Sequence, residues 1–96
     1  GLTSMEISVN RWPPGTAPER PHRHHNNEEI YIILRGEGEI IVEDEVIPVK
    51  EGSVVRIPPH SARRHRNNSD GDLIALVLQA HENSLVTWTM TDGYFV

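Results

Sequence analysis

Ten consecutive residues, His22-Arg23-His24-His25-Asn26-Asn27-Glu28-Glu29-Ile30-Tyr31, set imidazoles and carboxylates directly before an apolar run. On extended backbone, side chains two apart share a side, so His22 and His24 would offer two ring nitrogens in one direction while His25 points away. Asn26 and Asn27 favour a reversal, after which Glu29 would face the two rings from a neighbouring antiparallel strand. Two histidines and one carboxylate with open positions suit iron, manganese and other divalent transition metals. The sequence has no cysteine, so any metal must take nitrogen and oxygen donors, and disulfides are excluded. The plainer reading of the three residues, a polar loop and strand end held by hydrogen bonds, has less support from ligand type and spacing.

The elements that must position these groups read as strands. Met5 to Asn10 alternates apolar and polar residues, the pattern of a strand with one buried face, and Trp12-Pro13-Pro14-Gly15 ends it. Glu29 to Arg35 is apolar on both faces, with Tyr31 and Ile33 on one side and Ile30, Ile32 and Leu34 on the other. Gly36-Glu37-Gly38 reads as a turn or bulge, followed by strands at Ile40–Val42, Val46–Val49 and Ser53–Ile57, the last ended by Pro58-Pro59. Ala62 to Asn67 is polar and basic, and Asn68-Ser69-Asp70-Gly71 is a turn. Leu73 to Leu78 is again apolar on both faces, and Leu85 to Met90 predicts a strand with Val86, Trp88 and Met90 as its apolar face. No segment keeps a helical period, so the expected fold is an all-β barrel or sandwich of mostly antiparallel strands. Two strands apolar on both faces exceed what one small lumen needs, which predicts a homodimer with one outer face covered by the second subunit.

A chain of 96 residues makes one domain, expected over residues 5–96, with residues 1–4 read as an expression remnant or a disordered terminus. At this size roughly 60 to 65% of the unfolded surface is buried, a modest core. Nine basic residues against 14 acidic ones give a net charge of -5 and no reason to expect nucleic acid or an anionic membrane surface. Arg63, Arg64 and Arg66 do not alter this, since they alternate in side and lack interleaved aromatics. No apolar stretch approaches the roughly 18 residues of a spanning helix and no signal segment opens the chain, so a cytoplasmic protein is expected.

Two motifs run through the sequence. Gly15 is followed by six residues, His22-Arg23-His24, four residues, Glu29, six residues and Gly36. Further on, Gly52 is followed by five residues, Pro58-Pro59-His60, two residues, Arg63, three residues and Asn67. Together they resemble the two motifs of the cupin superfamily, in particular its small single-domain members, over most of the chain. The first agrees in ligands, spacing and closing glycine, with one extra residue in its first gap. In the second, His60 stands where the family has a glycine and Arg63 where it has a histidine.

The resemblance implies a double-stranded β-helix with its site in the lumen, and His22, His24 and Glu29 as metal ligands. A guanidinium cannot ligate, so Arg63 leaves the fourth position to His65, which shares its strand face, or to water in a three-ligand site. Facing the lumen, Arg63 would grip a carboxylate or phosphate of a substrate, or else pair internally with Glu29. Tyr31 would line the same pocket or serve as a core residue. His25, His60 and His81 share no face with the pair. The expected function is binding of one divalent transition metal (Fe, Mn, Ni, Zn or Co) and action on a small anionic molecule, with dioxygenation and isomerisation among the family's reactions. The alternatives are a non-enzymatic, metal-free module that binds or senses a small ligand, and a structural dimeric barrel.

Overall fold

Segments where β-branched and aromatic residues dominate become strands, and the glycine, proline and asparagine clusters between them become turns. The computed structural model describes residues 1–18 and 20–96. Among them it forms β1 (Glu6–Trp12), β2 (Asn27–Arg35), β3 (Glu37–Val42), β4 (Glu45–Lys50), β5 (Val54–Ile57), β6 (Arg63–Arg66) and β7 (Leu73–His81). They make a four-stranded sheet in the order β1-β7-β2-β5 and a three-stranded sheet in the order β4-β3-β6, with every pairing antiparallel. Tyr31, Ile33, Ile40, Val49, Ile57, Leu73, Ala75 and Val77 fill the space between the sheets. This is the all-β double-stranded β-helix that the strand pattern and the motifs predict. No described helix is long and apolar enough to cross a membrane.

Register fixes which side chains reach the lumen. Glu29, Tyr31 and Ile33 of β2 sit beside Gln79, Val77 and Ala75 of β7, and Trp12, Asn10 and Ser8 of β1 continue that inner face. On the opposite wall, Ile40 and Val42 of β3 pair with His65 and Arg63 of β6, which places those two residues inward together. The polar stretch Ala62 to Asn67, which has no apolar pattern of its own, is thus a short strand held by β3 and aimed at the site.

Two expectations are corrected. In β1 the apolar residues Ile7 and Val9 are exposed, and the polar Ser8 and Asn10 lie on the other face, in register with the buried Val77 and Ala75. Alternation reveals that a strand has two unlike faces; the pairing with β7 decides which one turns outward. Leu85–Met90 is not a strand: it pairs with no edge of either sheet, and every residue from 83 to 96 is exposed.

The turn between β2 and β3 depends on Gly36. Its φ is +86°, and a Cβ there would run into the Asp72 carbonyl. Gly36→Ala is expected to remove about 2 kcal/mol of stability or more, by left-handed strain plus the clash. Urea unfolding checks this, and an unchanged midpoint would contradict it.

Candidate metal centre

β2 begins at the open end of the barrel, so its second inward position, Glu29, lies just inside the mouth. The chain entering β2 crosses that mouth, and His22 is pinned to β6 by a reciprocal backbone pair: His22 N donates to Arg63 O at 3.1 Å and Arg63 N donates to His22 O at 3.0 Å. His24 N donates to the Pro59 carbonyl at 2.9 Å. These bonds hold the segment extended without a regular strand and bring the two rings together, 5.2 Å apart and edge to face at 88°.

The His22 and His24 rings and the Glu29 carboxylate each offer one ligand atom, and all lie within 4.8 Å of one another. Donors on a shared first-row ion stand about 3 to 4 Å apart, given metal–ligand bonds of about 2.0–2.2 Å. Small side-chain rotations close that difference. His24 Nε2 is buried and has no hydrogen-bond partner, although Glu29 Oε2 lies 3.4 Å away. A buried imidazole nitrogen with no hydrogen-bond partner, beside a carboxylate, is a donor available to a metal. Partial desolvation lowers His22 below the usual imidazole range; Glu29 opposes that shift, and His24 and Arg63 add to it. The donor set, the spacing and the orphaned nitrogen fit a divalent transition metal.

Arg63, where the family has its fourth ligand, is fully buried. Nε donates to Ser61 O at 3.0 Å, Nη2 donates to Pro58 O at 2.6 Å and Pro59 O at 3.4 Å, and Nη1 reaches Glu29 Oε1 at 3.5 Å. The guanidinium therefore knots the loop between β5 and β6 and holds one oxygen of Glu29, leaving the other turned to His24. Of the two arrangements open to Arg63, the structure displays the internal pair with Glu29; its donors serve loop carbonyls and a ligand carboxylate.

His65 is not part of the three-residue group. Its ring stacks on Trp12, with centroids 3.9 Å apart and planes at 17°, and burial, with a lesser contribution from His22, lowers it below the usual imidazole range. Tyr31 is buried beside Glu29, with its ring 6.2 Å from Trp12; burial first, then the Glu29 charge, pushes its phenol well above the usual range, so it stays a hydrogen-bond donor. His25, His60 and His81 are exposed. In sequence Trp12 opens a strand-breaking cluster, yet the alternation that puts Ser8 and Asn10 on one face of β1 puts Trp12 there too. Asn67, noted only for its spacing, ties the far end of the barrel together: Nδ2 donates to Trp12 O and Gly71 O at 2.8 Å each, and Oδ1 accepts from Ser69 N at 3.0 Å and Ser69 Oγ at 2.7 Å.

Two outcomes follow from these contacts. Arg63→Lys has too few and wrongly spread donors for the Ser61, Pro58 and Glu29 oxygens, so it should lower unfolding free energy by about 2–4 kcal/mol; a urea midpoint equal to that of the parent chain would contradict the knot. His22 and His65 both titrate lower in the folded chain than the unfolded value of about 6.5. The unfolded state therefore takes up protons first, and stability that is complete above about pH 6.5 falls as pH drops toward the folded values. His65→Phe keeps the stack on Trp12 and should show a smaller fall in urea midpoint between about pH 7.5 and 5.5; an undiminished fall would remove His65 from the account.

A family model described as "Cupin domain" matches residues 9–79. A crystal structure of a cupin protein from Bacteroides fragilis is 39% identical, with a TM-score of 0.91 over 99% of this chain and 80% of that one. A predicted oxalate decarboxylase from Thermotoga maritima is 28% identical, with a TM-score of 0.73 over 78% of this chain and 64% of that one. A putative sugar phosphate isomerase from Acidithiobacillus ferrooxidans is 30% identical, with a TM-score of 0.75 over 84% of this chain and 53% of that one. The curated relatives that the sequence matches are longer, and the chain spans 37% and 43% of their lengths. The match covers both motifs, five of the seven strands in full and most of the other two, and the chain belongs to the cupin family.

Proposed function

We propose that the barrel holds one divalent transition metal between His22, His24 and Glu29 and binds a small anionic molecule at its open positions. The observation that carries this reading is the buried, unpartnered His24 Nε2 facing Glu29 within a three-donor cluster. A metal there would act as a Lewis acid on a carboxylate or phosphate oxygen. Iron, manganese, nickel, zinc and cobalt all accept this donor set. Within the chain, Arg63 offsets the Glu29 charge, so a doubly charged ion leaves the centre with an excess of positive charge that favours an anion. The names of two similar structures, an oxalate decarboxylase and a sugar phosphate isomerase, agree with an anionic substrate class. Tyr31 would supply a neutral donor to the lumen, and His22 at the mouth would meet the ligand first. Arg63 acts as a positioning residue for Glu29.

A second reading is favoured by one contact. Arg63 Nη1 lies 3.5 Å from Glu29 Oε1, so Glu29 already has a cation beside it, and a metal-free barrel that binds or senses a small molecule would use the same lumen.

Metal titration of tag-free, chelator-treated protein separates the two. One equivalent of Mn2+ or Zn2+ should bind, and His24→Ala should weaken binding by roughly 100-fold or more while leaving the β-sheet circular dichroism unchanged. No uptake by the parent chain would support the metal-free module.

A further inference from the structure

Pro18 and Pro21 carry no amide hydrogen, so the segment that leads from β1 to the barrel mouth cannot complete a ladder with β6. Among the described residues, backbone bonds fasten it to that side of the sheet at two points. At one end Gly15 N donates to Asn67 O and Asn67 N donates to Thr16 O, at 2.8 Å each; at the other stands the reciprocal pair of His22 with Arg63. Five residues lie between Thr16 and His22 but three between Arg63 and Asn67, so the segment must bow away from the strand. Beside the bow is a cleft of about 320 Å3, lined by Ala17, Pro18, Ile41, Arg64, His65 and Arg66.

The cleft shares none of His22, His24 and Glu29. Arg63 and His65 face the lumen, and the two-residue period of β6 turns Arg64 and Arg66 the other way. The arginines of the chain are not equally committed. Arg11, Arg23, Arg56, Arg63 and Arg66 each have a carboxylate oxygen within 3.5 Å, whereas the exposed Arg64 has none among the described residues. Arg66 gives Nε to Glu39 at 2.8 Å, and its two Nη groups stay free for another acceptor among the described residues. The backbone adds a third donor. Arg63 and Asn67 both turn their N–H and C=O groups toward the bowed segment, so His65, midway between them, does the same, and no described residue accepts from its N–H there. Ile41 is on the outward side of β3 and yet only 5% exposed. With Ala17 and Pro18 it gives the cleft an apolar lining, against which a charge-assisted bond is screened less than in open water.

We propose that this cleft binds a small phosphorylated molecule, its phosphoryl group held by Arg64, Arg66 and the His65 N–H and its carbon part laid on Ile41, Ala17 and Pro18. Two guanidinium forks and an amide offer donors and no acceptor, so the ligand must be an anion. One fork satisfies the two oxygens of a carboxylate; a phosphoryl group has three oxygens and nearly two negative charges, which suit both forks and the amide together. The volume lies at the lower end of small-ligand pockets, about 300–1,000 Å3, and so suits a compact phosphate ester.

Nitrogen–proton correlation spectra of the chelator-treated full chain test this, with inorganic phosphate and phenyl phosphate as probes and potassium chloride at matched ionic strength as the control. Phosphate should shift the His65 amide and Arg64 Nε–H signals saturably, and phenyl phosphate should saturate at a concentration lower by about tenfold, through burial of its ring. Arg64→Gln alters an exposed side chain, so the circular dichroism should be unchanged while phosphate affinity falls by about tenfold or more. His24→Ala should bind phosphate as the parent chain does. A response equal to that of chloride, saturation undiminished in Arg64→Gln, or saturation lost in His24→Ala would each overturn the inference, the last by moving the anion to the lumen. Equal affinity for the two probes would overturn the role given to the apolar lining. Because the protein is metal-free throughout, the result stands apart from that of the metal titration.

Discussion

A buried guanidinium needs oxygen on every side, and that requirement at Arg63 organises the site. The side chain is fully buried, so its charge is tolerable only with a carboxylate and well-placed carbonyls around it. Glu29 supplies the charge, and Pro58, Pro59 and Ser61 supply the carbonyls. The same residue pairs through its backbone with His22, and the Pro59 carbonyl that it touches also accepts from His24 N. His22, His24 and Glu29 are thus all fixed through one residue. Where the cupin motif has a histidine, this chain has a clamp on Glu29 and on the backbone at His22.

The second organising constraint is the two-residue period of a strand. It puts Glu29 and Tyr31 on one wall and Arg63 and His65 on the other, so the chemistry is confined to alternate positions of a few strands. The intervening positions of β1, β2, β5 and β7 form the outer apolar rows. One alternation therefore produces both the polar inner cluster and the apolar outer surface, and a register slip would exchange them.

Much of this was legible in the sequence. Strand composition, turn residues and the spacing of His22, His24, Glu29 and Gly36 were enough for the fold and for the three-residue group, because those signals are local. Three features were not legible. That Ile7 and Val9 face outward depends on how β1 pairs with β7, a contact more than sixty positions away in the chain. That Leu85–Met90 finds no sheet edge is a property of the whole barrel, since alternation alone cannot create a neighbouring strand. That His65 lies against Trp12 depends on two strands from different sheets meeting across the lumen. Arg63 could be placed inward by spacing, but its internal partnership is set by loop carbonyls that have no sequence signature.

The four bonds of the Asn67 side chain give the barrel two unlike ends. Around Asn67, the end of β1, the turn at Thr16 and the loop at Gly71 are fastened into one hydrogen-bonded plug. Around His22, the imidazole stands exposed to solvent. Amide exchange should thus be slower at the plug than at the His22 end.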